Sequence, residues 1–86
     1  MQLEGTIISK TTGLRASFEG QEQPYVLCVI ARLAHPEVQS EVRIIGHADI
    51  AQGIGDVVRL EVVRTITDRH AGVVRFDAHL IAEDVT

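Results

Sequence analysis

Apolar and polar residues alternate along most of this chain, and the period is two. From Asp56 to Ile66, Val58, Leu60, Val62 and Ile66 fall on one side while Arg59, Glu61, Val63 and Thr65 fall on the other. Val73 to Ala82 repeats the pattern, with Val74, Phe76, Ala78, Leu80 and Ala82 expected inward. Alternation of this kind marks a half-buried strand. Val38 to Gly46 predicts a further strand, with Val42 and Ile44 on one face and Glu41, Arg43 and Ile45 on the other. Tyr25 to Leu33 is almost continuously apolar, which predicts a strand covered on both faces. Gln2 to Lys10 opens the chain as the first strand. The polar cluster Thr11, Thr12, Gly13 ends it, and a short extended piece follows from Leu14 to Phe18.

Turn residues separate these runs. Glu19 to Pro24 reads as a turn because Gly20 tolerates positive φ and Pro24 has no amide to donate to a ladder. Ala34 to Glu37 forms a loop, and Thr67 to Gly72 a second turn. His47 to Gln52, closed by Gly53 and Gly55, predicts a single helical turn. The last hairpin allows a register test, because inner faces must meet inner faces. A turn centred on Arg69 and His70 pairs Ile66 with Val74, Val62 with Ala78 and Leu60 with Leu80. It sets Thr65 against Arg75, Val63 against Asp77 and Glu61 against His79 outside. Arg64 then falls opposite Phe76, where it leaves the barrel mouth and stacks on the ring.

Five short strands with one helical turn between the third and fourth follow the order of the OB fold. That fold is a five-stranded Greek-key barrel which binds ligands on its second and third strands and the loops joining strands one to two and four to five. The expectation is therefore an all-β, OB-fold-like Greek-key barrel. A five-stranded sandwich and an SH3-like barrel have the same strand count and stay open at this point.

Composition narrows the class. The chain has 86 residues, 45% of them hydrophobic, which suits one domain spanning residues 1–86 with a modest core. The single cysteine, Cys28, lies in an apolar run and has no internal partner, so a buried thiol in a reducing cytoplasm is expected. No segment has the pattern of a signal peptide or the length of a membrane span, and a soluble, cytoplasmic protein is expected. Eight basic residues against twelve acidic ones give a net charge of -4, which repels polyanions at long range. The balance is uneven: Arg59, Arg64, Arg69 and Arg75 form a local basic stripe.

Three segments extend this reading. The opening strand Leu3-Glu4-Gly5-Thr6-Ile7-Ile8, the approach Gly20-Gln21-Glu22-Gln23-Pro24-Tyr25, and Gly53-Ile54-Gly55-Asp56-Val57-Val58 together resemble the small single-stranded-DNA-binding proteins of OB type. The likeness is to the filamentous-phage helix-destabilising proteins and the dimeric primosomal replication proteins. In the phage proteins a basic, glycine-containing approach ends in a Pro-Tyr pair. Pro24-Tyr25 matches it, while Glu19 and Glu22 replace the basic character. The resemblance implies cooperative, sequence-tolerant binding of single-stranded DNA, or RNA, by a homodimer or higher oligomer, in DNA replication or recombination, with rings stacked on bases and arginines on phosphates.

Candidate residues follow. Tyr25 is the first stacking platform and Phe18 the second, whereas Phe76 points inward. Lys10, Arg15, Arg32 and Arg43 lie on the first three strands and their loops, and Arg64, Arg69 and Arg75 cluster around the last hairpin. The competing role of each is ordinary: a core anchor for a ring, a solvated surface charge for a cation. No cofactor and no catalysis are expected. The histidines His35, His47, His70 and His79 lack zinc-site spacing, the carboxylates Asp49, Asp56 and Asp77 are scattered, and no P-loop, dinucleotide fingerprint or nucleophile elbow occurs. The alternative function is a protein-interaction or assembly module in which Tyr25 to Leu33 pairs across a dimer interface.

Overall fold

A computed structural model describes residues 1–70 and 72–81. Its five strands are β1 (Gln2–Phe18), β2 (Gln21–Arg32), β3 (Gln39–Ile45), β4 (Val57–Asp68) and β5 (Val73–Leu80). They form one sheet that closes on itself in the order β1-β2-β3-β5-β4, a closed barrel. Every pairing is antiparallel except β3 with β5, which run parallel over Glu41–Ile44 and Arg75–Ala78. Inside lies one cluster: Leu3 and Ile7 from β1, Val26, Cys28 and Ile30 from β2, Val42 and Ile44 from β3, Val58 and Leu60 from β4, Phe76 and Ala78 from β5. Ile50 from the β3–β4 loop joins it. Burial raises the Cys28 thiol above its ordinary value and keeps it protonated, as the apolar run around it implied.

Several boundaries differ from the sequence expectation. The first strand does not stop at Lys10: Thr11 to Leu14 is absorbed as an irregularity in the β1–β2 ladder, with Gly13 at φ 78°, and a second irregularity falls between Ile7 and Ser9. Bulges bend and twist a strand without ending it. The turn predicted over Glu19 to Pro24 contracts to Glu19 and Gly20, at φ 52° and 80°, between paired Phe18 and Gln21. Two positive φ values suit a two-residue hairpin whose twist matches its arms. Pro24 consequently sits inside β2, where its carbonyl accepts the Gly46 amide at 2.8 Å.

β2 is not covered on both faces. Val26, Cys28 and Ile30 are fully buried, but Leu27, Val29 and Ala31 are only half-buried, so the strand alternates despite its uniform composition. Nor is it an edge, because β1 and β3 flank it on either side. The strand expected to pair across a dimer interface, Tyr25 to Leu33, therefore has its backbone ladder filled by β1 and β3 and offers no open edge.

The helical turn at His47 to Gln52 is absent. The carbonyls of Ile50 and Gln52 do not accept helical amides; both accept the Lys10 ammonium at 2.9 Å. Asp49 takes the Ile50 amide at 2.7 Å and pairs with Lys10 at 2.7 Å, and Ile50 turns into the core. A tight turn over Gly53–Asp56 then returns the chain to β4.

The β4–β5 register holds at Leu60–Leu80, Glu61–His79 and Val62–Ala78, and shifts by one residue at Val63. Beyond that bulge Arg64 faces Asp77, not Phe76, and Thr65 faces Phe76. The shift turns Ile66, which alternation had placed inside, onto the Arg75 face, while Val74 keeps the Phe76 side of β5 yet is 45% exposed beside the groove it shares with Phe76. Ala82, also expected inside, lies outside the described residues.

Candidate nucleic-acid interface

The outer face of the barrel carries its own small cluster where the β1–β2 hairpin folds over β3 and β5. Arg43 and Asp77 are register partners in the parallel ladder, both pointing outward. Their side chains meet in a two-pronged pair, Nε to Oδ1 at 2.7 Å and the second guanidinium nitrogen to Oδ2 at 3.0 Å. Asp77 is 1% exposed and the Arg43 side chain 24%. Phe18 lies over the guanidinium at 4.8 Å and Tyr25 at 5.6 Å, while the two rings meet edge to face at 5.8 Å. The hydrogen bonds it donates to Asp77 push the Arg43 guanidinium further above its ordinary value, against the opposing effect of burial. Fork-to-fork pairing fixes orientation as well as charge, so this quartet sets the position of the hairpin.

Beside it opens a cleft of about 120 Å³. Phe18 and Ile45 supply its apolar wall, Glu19 and Gln23 its rim on the hairpin, and Arg64 and His79 the opposite side. The bulge at Val63 is what brings Arg64 here, by turning it onto the Asp77 face of the sheet. No side-chain hydrogen bond or ion pair is found for the Arg64 guanidinium among the described residues.

The remaining candidates divide by the company they keep. Phe18 is 5% exposed and is therefore an anchor of the hairpin, not an open platform. Tyr25 is half-buried and keeps part of its surface accessible. Arg43 is committed to Asp77. Lys10 is committed to the β3–β4 loop, its side chain only 18% exposed, and is a structural staple in place of the expected phosphate contact. Arg75 pairs with Glu41 at 3.2 Å, and Arg15 with Glu22 at 2.9 Å across the hairpin arms, where both partners are well exposed. Arg69 is exposed at the β4–β5 turn. Arg32 lies away from the cleft, along a separate groove with Val29, Val38 and Val74. The structure thus puts Arg64 and Tyr25 on the Phe18 side of the hairpin, turns Arg15 with Glu22 to its other face, and removes Lys10, Arg43 and Phe18 from direct contact.

Sequence reasoning missed Asp77 as the organising acid and Ile45 and Gln23 as cleft residues. An acid at an outward strand position was visible, but its partner lies on a strand 34 residues away and is reached only through the parallel ladder. Among the described residues no three His, Cys, Asp or Glu stand close enough to hold a metal ion, and no helix is long and apolar enough to cross a membrane.

Lys10→Met is expected to lower stability by about 1–2 kcal/mol, since it leaves two loop carbonyls without their charged donor. Hydrogen exchange at Ile50 and Gly53 should quicken with it. Unchanged exchange would show that the loop is held by Ile50 burial alone.

Comparison with known proteins returns no matching family model, characterised relative or solved structure, so the likeness to single-strand-binding proteins rests on the chain's own residues and strand order.

Proposed function

We propose that this chain is an OB-type barrel that binds single-stranded nucleic acid, DNA before RNA, in the cleft beside the β1–β2 hairpin. The observation that carries the reading is the Arg64 guanidinium, unpaired among the described residues, facing an apolar wall of Phe18 and Ile45 at the meeting point of that hairpin with β4 and β5. The strand order, with β3 and β5 parallel, supports it by putting the cleft next to the loop that OB folds use for oligonucleotides. Tyr25 offers the ring for base stacking. Arg64 and Arg69 offer charges for phosphate on this side, and Arg15, on the hairpin's other face, is bound only to an exposed glutamate, a pairing that contributes little and exchanges readily, so it can meet a strand that passes over the hairpin.

A net charge of -4 gives no long-range attraction, so the contacts are local and few. Three phosphate contacts to a single strand correspond to a salt slope of about -2. Fluorescence anisotropy with oligo-dT at low and high salt tests this. Micromolar binding with that slope is expected, flattened to about -0.7 in Arg64→Ala/Arg69→Ala. Absence of binding at micromolar protein in low salt ends the reading.

The groove lined by Val29, Val38, Val74 and Phe76 favours a second reading, a protein-interaction module, because these apolar side chains leave a wide opening of about 540 Å³. A chain that ignores oligo-dT while remaining folded would point there.

A further inference from the structure

The cleft beside the β1–β2 hairpin carries two opposite charges that do not meet. Glu19 stands on its hairpin rim and Arg64 on the opposite side, and neither side chain has a hydrogen-bond or ion-pair partner among the described residues. Asp77, which also lines the cleft, is taken up by Arg43. Glu19 is moreover the first residue of the two-residue turn, at φ 52°, where hairpins ordinarily use glycine, asparagine or aspartate. A glutamate is strained there, and no polar contact among the described residues offsets the strain.

Size limits what can enter. At about 120 Å³ the cleft is well below the roughly 300–1,000 Å³ of pockets that enclose a drug-sized molecule, so one flat ring system fits and a longer ligand enters only in part. Phe18 and Ile45 give that ring an apolar wall, which any base tolerates. The polar edges then decide which base gains most. A carboxylate accepts from two adjacent N–H groups, and a guanidinium donates to two adjacent acceptors. Guanine alone among the four DNA bases offers both, with N1–H and the exocyclic amino group on one edge and O6 and N7 on the other. Adenine and cytosine carry one amino group beside a ring acceptor, and thymine a single N–H between two carbonyls. All three set an acceptor against the carboxylate.

We infer that this cleft is a base-selective subsite for guanine, with Glu19 accepting from the N1–H and amino edge and Arg64 donating to O6 and N7. The inference rests on the nucleic-acid reading and narrows it: the rest of a strand is held without regard to sequence, and one nucleotide is chosen. On a thymine tract, which has no such pair of adjacent acceptors, Arg64 stays with the phosphates. The subsite also accounts for an acid at position 19, where contact with phosphate alone would favour a cation.

Fluorescence anisotropy with a thymine tract carrying one central guanine, adenine or cytosine tests this, a single guanine being too few for four-stranded structures. The guanine strand is expected to bind about tenfold more tightly than the all-thymine strand, with no steeper salt dependence, because base contacts release no counterions. Adenine and cytosine should give little of that gain. Hypoxanthine, which lacks the exocyclic amino group, and a deaza analogue with carbon in place of N7 should each forfeit most of it, the first at Glu19 and the second at Arg64. Glu19→Gln presents one donor beside one acceptor, so the guanine advantage should vanish while oligo-dT affinity holds or rises with the loss of a negative charge. Glu19→Gly, which relieves the positive φ, should behave alike. Circular dichroism establishes that both variants fold, and the two base analogues, which need only the unaltered protein, decide the matter if one does not. Equal affinity for all four strands, or a guanine gain that survives both Glu19 variants, would overturn the inference and leave the wider reading standing. Absence of binding to every strand at micromolar protein would remove both.

Discussion

Asp77→Ala is expected to lower the stability of this domain by about 3–5 kcal/mol, the range for removing one member of a buried ion pair. The carboxylate is 1% exposed and holds both prongs of Arg43, so alanine leaves a guanidinium under Phe18 and Tyr25 with no counter-charge. Partial exposure of Arg43 places the expected value at the lower end of that range. Asp77→Asn, which keeps the shape and one acceptor, should cost less. The double variant Arg43→Met/Asp77→Leu should regain most of the loss, because well-packed apolar groups often replace a buried pair without penalty. Urea denaturation measures all three. The alanine variant should also speed hydrogen exchange in the β1–β2 hairpin at Phe18 and Gln23. A loss under about 1 kcal/mol would place the pair among weak surface salt bridges and detach the hairpin from it.

Gly5→Ala should cost about 1–3 kcal/mol by overpacking, and Gly5→Val more. A methyl group at Gly5 would stand 2.8 Å from the Ala31 carbonyl oxygen and 3.0 Å from Cδ1 of Ile30. The first of these is backbone. Gly5 pairs with Arg32 on one side and Val58 on the other, so β1 cannot move away from β2 without loosening β4. The entropy alanine removes from the unfolded chain favours folding by about 0.4–1 kcal/mol, which the clash exceeds. A rise in the urea midpoint of Gly5→Ala would show that the ladder gives way easily at this point.

Much of the barrel was legible beforehand because strand alternation is a local signal. The five strands, the inward set Val42, Ile44, Val58, Leu60, Phe76 and Ala78, and three of the hairpin pairs follow from period two alone. The signal failed wherever a bulge or a distant side chain intervened. A bulge costs one residue and leaves no mark in composition, so the slip at Val63 inverted the expected faces of Arg64 and Ile66. The loop from His47 to Gln52 looked helical because its glycines suit a cap, yet Lys10, 40 residues earlier than Ile50, claimed its carbonyls.

The candidate site was less legible than the fold. Among the cations singled out, Lys10, Arg15, Arg43 and Arg75 all meet acids, three of which come from a different strand or loop with no local link in the chain. Charge counts show how many partners exist but not which will meet.

The amino-acid sequence by itself determined the five strands, most of their inward faces and the places of the two hairpins, since steric preference and side-chain period act between near neighbours. Only the tertiary structure decided that β3 lies beside β5, that Asp77 neutralises Arg43 beneath two rings, and that Lys10 holds the β3–β4 loop. Each of those depends on where the ring closes, and closure is set by contacts between segments that the chain keeps far apart.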